Sequence, residues 1–457
     1  MKLEVIVLAA GQGTRMRSAR PKVLHELARQ PLLAHVLATA RALSPARIHV
    51  VIGHGADEVR AHLDASDLTW VVQEQQLGTG HAVLQALPQV EDDAAVLVLY
   101  GDVPLLRTET LENLVAQTPA LLTAEMDDPT GYGRVLRGDG GHLLGVVEHK
   151  DTSEAERRIR EINTGVLAYP ARLLKTYLPQ VGNANSQGEY YLPDVLAMAV
   201  GDGHTVTALV ADNAADVLGV NDRAQLAEAE AELRRRSARD LLNSGVTLAD
   251  PARIDVRGEL ICGRDVFIDV NCVFEGNVRL GDGVEIGPNC VLRDAQLGDA
   301  TTVHAMSHIE DAHVGAGCSV GPYARLRPGT QLAEGARVGN FVETKKALVG
   351  AGSKVNHLSY VGDAVLGAGV NVGAGTITCN YDGVAKHRTE MGDGVFIGSN
   401  STLVAPVPID DGAFVAAGST VTRDVPAAAL GVARAKQRIV DGWRSPQQRA
   451  AETDDEA

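Results

Sequence analysis

The chain has 457 residues, a net charge of −16, 45% hydrophobic residues and 22% charged residues. A length of this size favours two or three domains, because single hydrophobic cores stop growing well before it. The acidic balance argues against a nucleic-acid partner and against an anionic membrane surface. Aromatic residues make up only 4% of the chain while glycines number 48, so part of it must consist of small residues and turns.

The first residues and the cysteines indicate a cytoplasmic protein. No charged segment is followed by an apolar core and a cleavage site, and no apolar run approaches the length of a membrane span. The cysteines are odd in number and form no CxxC pair, which disfavours both disulfides and zinc; they are Cys262, Cys272, Cys290, Cys318 and Cys379. We therefore expect a reducing compartment and no insertion into a membrane.

Residues 1–223 alternate apolar runs with amphipathic segments. The runs "EVIVLAAG", "RIHVVIG", "LTWVVQ" and "AAVLVLYGD" are continuously apolar, as buried parallel strands are. The segments "VLHELARQPLLAHVLATARAL" and "TGHAVLQALPQV" carry helical spacing. This alternation predicts an α/β domain with a Rossmann-like open sheet, whose ligands bind at the carboxyl ends of the strands.

A charged segment follows this domain. Residues 222–243 read "DRAQLAEAEAELRRRSARDLLN", without Gly or Pro. Such a composition favours a solvated helix. We expect it to join two domains, with the linker at residues 224–245.

The hydrophobic period changes to six after Pro251. Aliphatic or large apolar residues recur at this spacing, at Ile268, Phe274, Leu280, Ile286 and Leu292, then from Val314 to Val338, and then from Met391 to Val415. Neither a helix nor a single strand has this period, whereas hexapeptide repeats are typical of a parallel β-helix. We predict a left-handed parallel β-helix over residues 246–434, with Cys272, Cys290 and Cys318 in its interior, and a C-terminal arm over residues 435–457 whose final "AETDDEA" is disordered.

The loop "LAAGQGTRM" follows the first predicted strand directly. Gly11 and Gly13 leave backbone N–H groups free to face an anion, and Arg15 and Lys22 add charge. By itself this pattern favours a tight strand-to-helix turn without a ligand. Asp102 ends an apolar strand in "LYGDVP", where it could cap a helix or bind Mg²⁺ beside substrate phosphates. With a phosphate loop in the same domain, we favour the metal.

These motifs resemble a known family. The ordered set "LAAGQGTRM", "RPKVL", "EQQLGTGHA", "YGDVPLL", "DDPTGYGRV", "VEHKD", "EINTGV", "GEYYLPD" and "GVNDR" is similar to the uridyltransferase half of the bacterial bifunctional N-acetylglucosamine-1-phosphate uridyltransferases/glucosamine-1-phosphate N-acetyltransferases. The residues that this resemblance implies are Leu8, Ala9, Ala10, Gly11, Arg15, Lys22, Tyr100, Gly101 and Asp102 for the nucleotide and its phosphates, Gln73, Gly78 and Thr79 for uracil, Gly133, Glu148 and Asn163 for the sugar, and Asp102 and Asn221 for Mg²⁺. Family members often carry Lys between the loop glycines, where this chain has Gln12.

The repeat region resembles the acetyltransferase half of the same family. The segments are "ARLRPG", "GNFVETKKA", "HLSYVGD", "NVGAGTITCNYDG", "VFIGSN", "LVAPV" and "VAAGSTVTRDV". The resemblance implies that His357 is the general base of acetyl transfer and that Cys379 is a bystander, since the family transfers acetyl directly. It further implies Arg327, Lys345, Tyr360 and Asn371 for the sugar phosphate, and Ala374, Asn380, Tyr381, Ser399, Ala417 and Arg434 for acetyl-CoA.

By this resemblance the protein is a cytoplasmic homotrimer that acts on glucosamine-1-phosphate, acetyl-CoA and UTP. It would first acetylate the amino sugar and then form UDP-N-acetylglucosamine with Mg²⁺. Two rival hypotheses are a nucleotidyltransferase with a merely regulatory β-helix, and a non-catalytic assembly subunit. The presence of His357 and Lys345 disfavours the first, and the presence of Asp102, Lys22 and Asn221 disfavours the second.

Overall fold

The computed structural model describes residues 2–63 and 65–454. The chain divides into two compact units, Met1–Ser237 and Ala238–Ala457. Among the described residues, every helix is too short or too polar to cross a bilayer.

The first unit is an α/β domain. Its strands are β1 Leu3–Ala9, β2 Glu26–Leu27, β3 Gln30–Pro31, β4 Arg47–Ile52, β5 Leu68–Val72, β6 Ala95–Tyr100, β7 Ala120–Glu125, β8 Arg134–Arg137, β9 Leu143–Val147, β10 Glu161–Pro170 and β11 Thr207–Val210. Its helices are α1 Leu32–Ala42, α2 Ala56–His62, α3 Thr79–Ala86, α4 Thr108–Ala116, α5 Ala171–Tyr177 and α6 Asp194–Gly201, followed by α7 Arg223–Asn243, which continues past Ser237.

The main sheet has the order β11-β7-β10-β6-β1-β4-β5, with β8 and β9 branching from β10. The four strands predicted from apolar runs are confirmed as β1, β4, β5 and β6, and they are parallel to one another. Strand β10 runs antiparallel between β6 and β7, so the sheet is mixed. The parallel strands end at one edge, which positions the loops that follow β1 and β6 side by side.

Both faces of this sheet are buried. Val5 and Val7 of β1 belong to one apolar core, whereas Ile6 and Leu8 belong to the other. Alternate side chains of an extended strand point to opposite faces. The continuous apolar runs therefore reflect helices covering the sheet on both sides.

One helix prediction was too long. The helical spacing in the sequence extends from Val23 to Leu43, but α1 begins only at Leu32. Pro31 precedes it, and a proline disfavours helical geometry in the residue before it. The chain from Lys22 to Pro31 instead forms a 3-10 turn and the short hairpin of β2 and β3.

The second unit is a long stack of parallel strands, consistent with the predicted left-handed β-helix. One row of strands comprises β12 Thr247–Leu248, β14 Phe267–Ile268, β16 Glu285–Ile286, β18 Thr302–Val303, β20 Ser319–Val320, β23 Arg337–Asn340, β25 Lys354–His357, β27 Asn371–Val372, β30 Phe396–Ile397, β33 Phe414–Val415 and β35 Leu430–Gly431. The other strands are β13 Ile254–Cys262, β15 Cys272–Leu280, β17 Val291–Leu297, β19 His308–Val314, β21 Arg325–Leu326, β22 Thr330–Leu332, β24 Glu343–Val349, β26 Tyr360–Leu366, β28 Ile377–Cys379, β29 Thr389–Met391, β31 Thr402–Val404, β32 Val407–Ile409 and β34 Thr420–Val421.

One turn of the stack takes 17 or 18 residues, or about three hexapeptides. Val273 pairs with Val291, which in turn pairs with His308. The predicted interior positions are confirmed as buried, including Ile268, Phe274 and Leu292. The thiols of Cys272, Cys290 and Cys318 are buried as well. The hexapeptide period therefore records which residues face the core.

Three columns of left-handed residues mark the corners of the stack, and one of them includes Ala300, Gly317 and Gly335. A second column includes Asp294, Asp311, Lys346 and Asp363, with φ between 42° and 47°. A third column, which we call the apolar corner, comprises Met306, Tyr323, Phe341 and Leu358, with φ between 46° and 61°. Bulky side chains rarely adopt positive φ. The corner geometry of the stack therefore outweighs the local preference of these residues.

One turn is longer than the rest. Val372 pairs with Ile397, which lies 25 residues further along the chain. The additional residues form a projecting hairpin, in which Tyr381 bridges to Lys386 in antiparallel fashion. We call residues 379–388 the insertion loop.

The C-terminal arm ends in α8 Pro446–Asp454. The disorder predicted for residues 451–457 is wrong for residues 451–454, which belong to this helix. Residues 455–457 lie outside the described part of the chain.

Candidate functional site

In the first unit, the glycine loop packs against Lys22. Gly13 has φ of 64°, and a Cβ added there would lie 2.4 Å from Cβ of Lys22. Only glycine fits both the backbone conformation and the space. This close approach fixes Lys22 beside the loop that follows β1.

Lys22 connects the residues that were predicted to bind phosphate and metal. Its Nζ donates to Oδ1 of Asn221 at 2.8 Å and forms an ion pair with Asp102. Nη2 of Arg15 donates to the same Asn221 oxygen at 2.8 Å. Lys22 and Arg15 therefore share the side-chain oxygen of Asn221, and Lys22 also contacts Asp102. This cluster lies near the carboxyl ends of β1 and β6.

A cavity of about 240 Å³ opens beside this cluster. It is lined by Leu8, Ala9, Ala10, Gly11, Lys22, Val23, Gln73, Gln76, Gly78, Thr79, Ala82, Tyr100, Asp102 and Glu189. A Cβ on Gly78 would lie 2.7 Å from the carbonyl oxygen of Tyr190, so a larger residue would displace the chain that closes the cavity. Gly101 is buried and lies in the chain between the lining residues Tyr100 and Asp102.

Glu148, Asn163 and Gly133 form a neighbouring group. The backbone N–H of Asn163 donates to the carbonyl of Gly133 at 2.9 Å, and the Asn163 side chain hydrogen-bonds Glu148. Burial raises the pKa of Glu148, and the charges of Asp194 and Asp151 raise it further. Glu148 also acts on Tyr100, a cavity residue, whose own hydroxyl pKa is raised, mainly by burial. The two groups are therefore close in space.

Several cavity residues were not singled out from the sequence. Val23, Gln76, Ala82 and Glu189 line the cavity, and His81 contacts Gln73 behind it. All of them lie within or beside the quoted motifs, so their place in those motifs is the feature of the sequence that could have identified them as cavity residues.

In the second unit, His357 pairs with a residue that the sequence analysis missed. Asn340 and His357 are partners on β23 and β25, and Nδ1 of His357 lies 2.8 Å from Oδ1 of Asn340. An amide oxygen accepts only, so Nδ1 carries the proton and Nε2 keeps a free lone pair. His357 is exposed, which leaves that nitrogen open to a substrate.

Positive charge gathers at the corner that carries Arg327 and Lys345. Lys386, from the insertion loop, contacts Lys345 and lowers its pKa, with smaller effects from burial and from Arg327. Nη1 of Arg327 donates to Oε1 of Glu343 at 2.7 Å. Repulsion among three cations in one place is typical of a site for an anion.

The insertion loop is held by its own hydrogen bonds. Oδ2 of Asp382 lies 2.7 Å from Nε2 of His387, and its Oδ1 accepts from the N–H groups of Val384 and Ala385. Asn380 donates to Asp363 on the neighbouring turn, and the Tyr381 hydroxyl donates to the carbonyl of Gly383 at 2.6 Å. These bonds explain how an exposed hairpin presents Lys386 in a fixed position.

Ala374, Ser399 and Ala417 follow one corner of the stack on successive turns. The backbone of Asn400 donates to the carbonyl of Ala374, and that of Gly418 donates to the carbonyl of Ser399. Nη1 of Arg434 donates to the carbonyl of Ala417 at 2.6 Å. This corner continues from Leu358, the residue after His357, because Gly375 N–H donates to the Leu358 carbonyl. Tyr360 pairs with Glu343, and Asn371 pairs with Lys354.

A phosphate-type loop at the edge of a mixed α/β sheet defines the first unit as a nucleotidyltransferase domain, and the second unit is a hexapeptide-repeat β-helix. Residues 5–161 match the model of the MobA-like NTP transferase domain, and residues 256–381 match that of the GMPPB C-terminal domain.

Similar proteins extend along nearly the whole chain. The bifunctional protein GlmU of Alkalilimnicola ehrlichii is 60% identical, covering 98% of this chain and 97% of that protein. The proteins of the same name from Marinobacter nauticus and Azoarcus sp. are 57% and 56% identical, each covering 97% of this chain and 99% of its own length. The chain belongs to the family of the bifunctional protein GlmU, which confirms the resemblance drawn from the motifs.

Proposed function

We propose that the chain catalyses two steps in the synthesis of UDP-N-acetylglucosamine. The second unit acetylates glucosamine-1-phosphate with acetyl-CoA, and the first unit transfers UMP from UTP to N-acetylglucosamine-1-phosphate and releases pyrophosphate. The observation that carries this proposal is the presence of two separate polar clusters, one around Lys22 and one around His357, in a chain that matches bifunctional relatives along its length.

In acetyl transfer, His357 acts as the general base. With its Nδ1 proton donated to Asn340, Nε2 accepts a proton from the 2-amino group of the sugar. The amine nitrogen attacks the thioester carbonyl, the C–S bond breaks, and CoA leaves as the thiol after taking a proton. The column of Ala374, Ser399 and Ala417 supports binding of CoA beside this base.

The cationic corner binds the phosphate of the amino sugar. Arg327 offers a planar fork of donors, whereas Lys345 and Lys386 offer ammonium groups. In the free protein these cations repel one another. A dianionic phosphate placed between them removes that repulsion, which favours its binding. Tyr360 and Asn371 complete the sugar site on neighbouring turns, whereas Asn380 and Tyr381 orient the acetyl group of acetyl-CoA.

In uridylyl transfer, Arg15 and Lys22 neutralise the triphosphate of UTP. The N–H groups of the loop at Gly11 add further donors to the phosphates. The sugar phosphate, oriented by Glu148 and Asn163, attacks the α-phosphorus, and pyrophosphate leaves. This reaction depends on charge neutralisation and alignment and needs no covalent intermediate on the protein.

Asp102 and Asn221 would hold Mg²⁺. Their oxygens both contact the ammonium of Lys22, so they share one cation-binding position. Across residues 2–63 and 65–454 there is no group of three metal-ligating acidic, His or Cys side chains. Mg²⁺ commonly takes one or two protein oxygens and completes its shell with phosphate and water, which fits this pair. When bound, the ion supplies charge stabilisation to the leaving pyrophosphate.

The protein acts as a homotrimer in the cytoplasm. The apolar corner supports assembly, because its four side chains are 46% to 61% exposed and the rings of Tyr323 and Phe341 stack at 5.2 Å. A second copy of the chain would remove these groups from water. Light scattering tests this: Tyr323→Asp should lower the assembled mass, whereas Leu144→Asp, an exposed position of the first unit, should not. A Tyr323→Asp protein of unchanged mass would contradict this interface.

The two activities are tested on one protein with glucosamine-1-phosphate, acetyl-CoA, UTP and Mg²⁺, by following CoA thiol and pyrophosphate separately. His357→Ala should abolish thiol release but leave pyrophosphate release from supplied N-acetylglucosamine-1-phosphate near normal. Asp102→Asn should do the converse. Equal loss of both activities in either variant would refute separate sites.

A further inference from the structure

We infer that His81 sets the base specificity of the nucleotide site by fixing the orientation of the Gln73 amide. Gln73 lines the cavity, yet its side chain is only 3% exposed. Its Nε2 lies 3.0 Å from Nδ1 of His81 and 3.3 Å from the carbonyl oxygen of Gly78. This inference rests on the proposed uridylyl transfer and adds a residue that does not touch the substrate.

Both acceptors use the amide nitrogen of Gln73. A primary amide has two N–H donors on nitrogen and two acceptor sites on oxygen. With one N–H directed to His81 and the other to Gly78, neither remains for a ligand. The Gln73 Oε1 atom makes no hydrogen bond within the described parts of the chain, so the side chain presents an acceptor to the cavity.

An acceptor at this position distinguishes pyrimidine bases. Uracil carries a proton on N3 and can donate it to Oε1, whereas N3 of cytosine has a lone pair that would face the lone pairs of Oε1. A buried polar contact of this kind gives strong discrimination, because the wrong base leaves a group without its partner. The orientation of one amide therefore decides which base is accepted.

His81 is part of a helix and lies beside a second ring. It is on the first turn of α3, and its ring centroid lies 6.3 Å from that of Tyr190. An unprotonated Nδ1 accepts from Gln73. Without this acceptor, only the longer contact to the Gly78 carbonyl opposes a 180° rotation of the Gln73 amide, which would present its N–H₂ group to the base. His81 is thus a positioning residue that acts through Gln73.

The test compares UTP with CTP. His81→Phe keeps a ring but removes the acceptor, whereas His81→Asn supplies an amide oxygen close to the position of Nδ1. His62→Phe, on the exposed helix α2, is the matched control. Binding of each nucleotide is measured by calorimetry, and turnover is measured as pyrophosphate release with N-acetylglucosamine-1-phosphate.

We expect His81→Phe to reduce the UTP-over-CTP preference by about 10-fold or more, through both weaker UTP binding and stronger CTP binding. His81→Asn and His62→Phe should retain most of the preference. His81→Ala gives a second acceptor-free variant if the phenyl ring does not fit, and thiol release by the second unit reports on overall folding.

An unchanged preference in His81→Phe or His81→Ala would overturn the inference, as would an equal loss of affinity for both nucleotides. The same holds if the unmodified protein binds UTP and CTP equally well. If it prefers UTP in calorimetry but releases no pyrophosphate, the proposed function fails, while the binding series still tests His81.

Discussion

Asn340 and His357 occupy matching positions on adjacent turns of the β-helix, and their side chains meet with 2.8 Å between Oδ1 and Nδ1. The pair lies 17 residues apart in the chain, which is one turn of the stack. The regular spacing of the scaffold therefore supplies the hydrogen bond that sets the tautomer of the proposed base.

Asn340→Ala should lower the kcat of acetyl transfer by about 10-fold to 100-fold, because the imidazole loses the acceptor that holds its tautomer. Asn340→Asp retains an acceptor and should keep more of the activity, while its negative charge should move the acid limb of the kcat–pH profile. Pyrophosphate release should be unchanged in both variants. A purely structural role for Asn340 would lower activity equally in both variants and leave the profile where it is.

Lys386→Met should raise the KM for glucosamine-1-phosphate by about 10-fold, since a charge-assisted contact to phosphate is lost. It should also alter the pH dependence. Lys386 lowers the pKa of Lys345, so Lys345 loses its proton, and phosphate binding weakens, at lower pH than for an ordinary lysine. Without Lys386 that weakening should begin at higher pH.

The KM is measured across the alkaline range, with Lys2→Met in the other unit as the control. An alkaline limb that stays in place in Lys386→Met would show that the two ammonium groups do not interact.

Glu148→Gln should stabilise the first unit at alkaline pH while weakening sugar-phosphate binding. Burial raises the pKa of Glu148 in the folded state, so the folded protein binds the proton more tightly than the unfolded chain does. The free energy of unfolding therefore falls as pH rises from the unfolded pKa through the raised folded pKa. The neutral Gln avoids that loss.

Calorimetry should give a higher Tm for Glu148→Gln than for the unmodified protein at pH 8, with the difference vanishing toward pH 4. Glu112→Gln, at an exposed position, should show no such trend. A Tm difference that is constant with pH would contradict the assigned cause.

Glu4→Ala should reduce the free energy of unfolding by about 3 kcal/mol or more, because it leaves a buried polar group unpaired. Glu4 is 1% exposed and His49 is fully buried; Oε2 of Glu4 lies 2.8 Å from Nε2 of His49, and its Oε1 accepts from the N–H of Glu91. Glu4→Gln keeps an oxygen that can accept from the N–H of Glu91 and a nitrogen that can donate to Nε2 of His49, so it should cost less.

The comparison is Lys2→Met, which breaks an exposed ion pair and should cost less than about 1 kcal/mol in the same urea titration. Similar losses in Glu4→Ala and Lys2→Met would mean that burial of the Glu4–His49 pair contributes little.

The hydrophobic pattern predicted much of the fold, because the spacing of apolar residues reflects which positions of each element face the core. The period of six identified the interior of the β-helix, and the apolar runs identified β1, β4, β5 and β6. The spacing of apolar residues does not indicate whether a strand runs parallel or antiparallel to its neighbours. The antiparallel placement of β10, which carries the motif "EINTGV", therefore emerged only from the structure.

The residues of the candidate sites also fall into two groups, those predicted from the sequence and those found only in the structure. Residues inside continuous motifs, such as Lys22 and Asp102, were predicted and are found in contact. Asn340 and Lys386 were missed, because each meets its partner through the register of the stack or through a hairpin that breaks the repeat. The functional assignments of all these residues remain predictions for the experiments above.

The enlarged turn between Val372 and Ile397 is followed at once by turns of ordinary length, since Met391 pairs with Ile409 and Ile397 with Val415. The surplus chain leaves the stack and returns to it without shifting the layers above. The insertion loop, which carries Lys386, is therefore encoded separately from the repeats that build the interior. A hairpin of another length or sequence leaves this interior as it is, so the proposed phosphate contact of Lys386 can change independently of the stack.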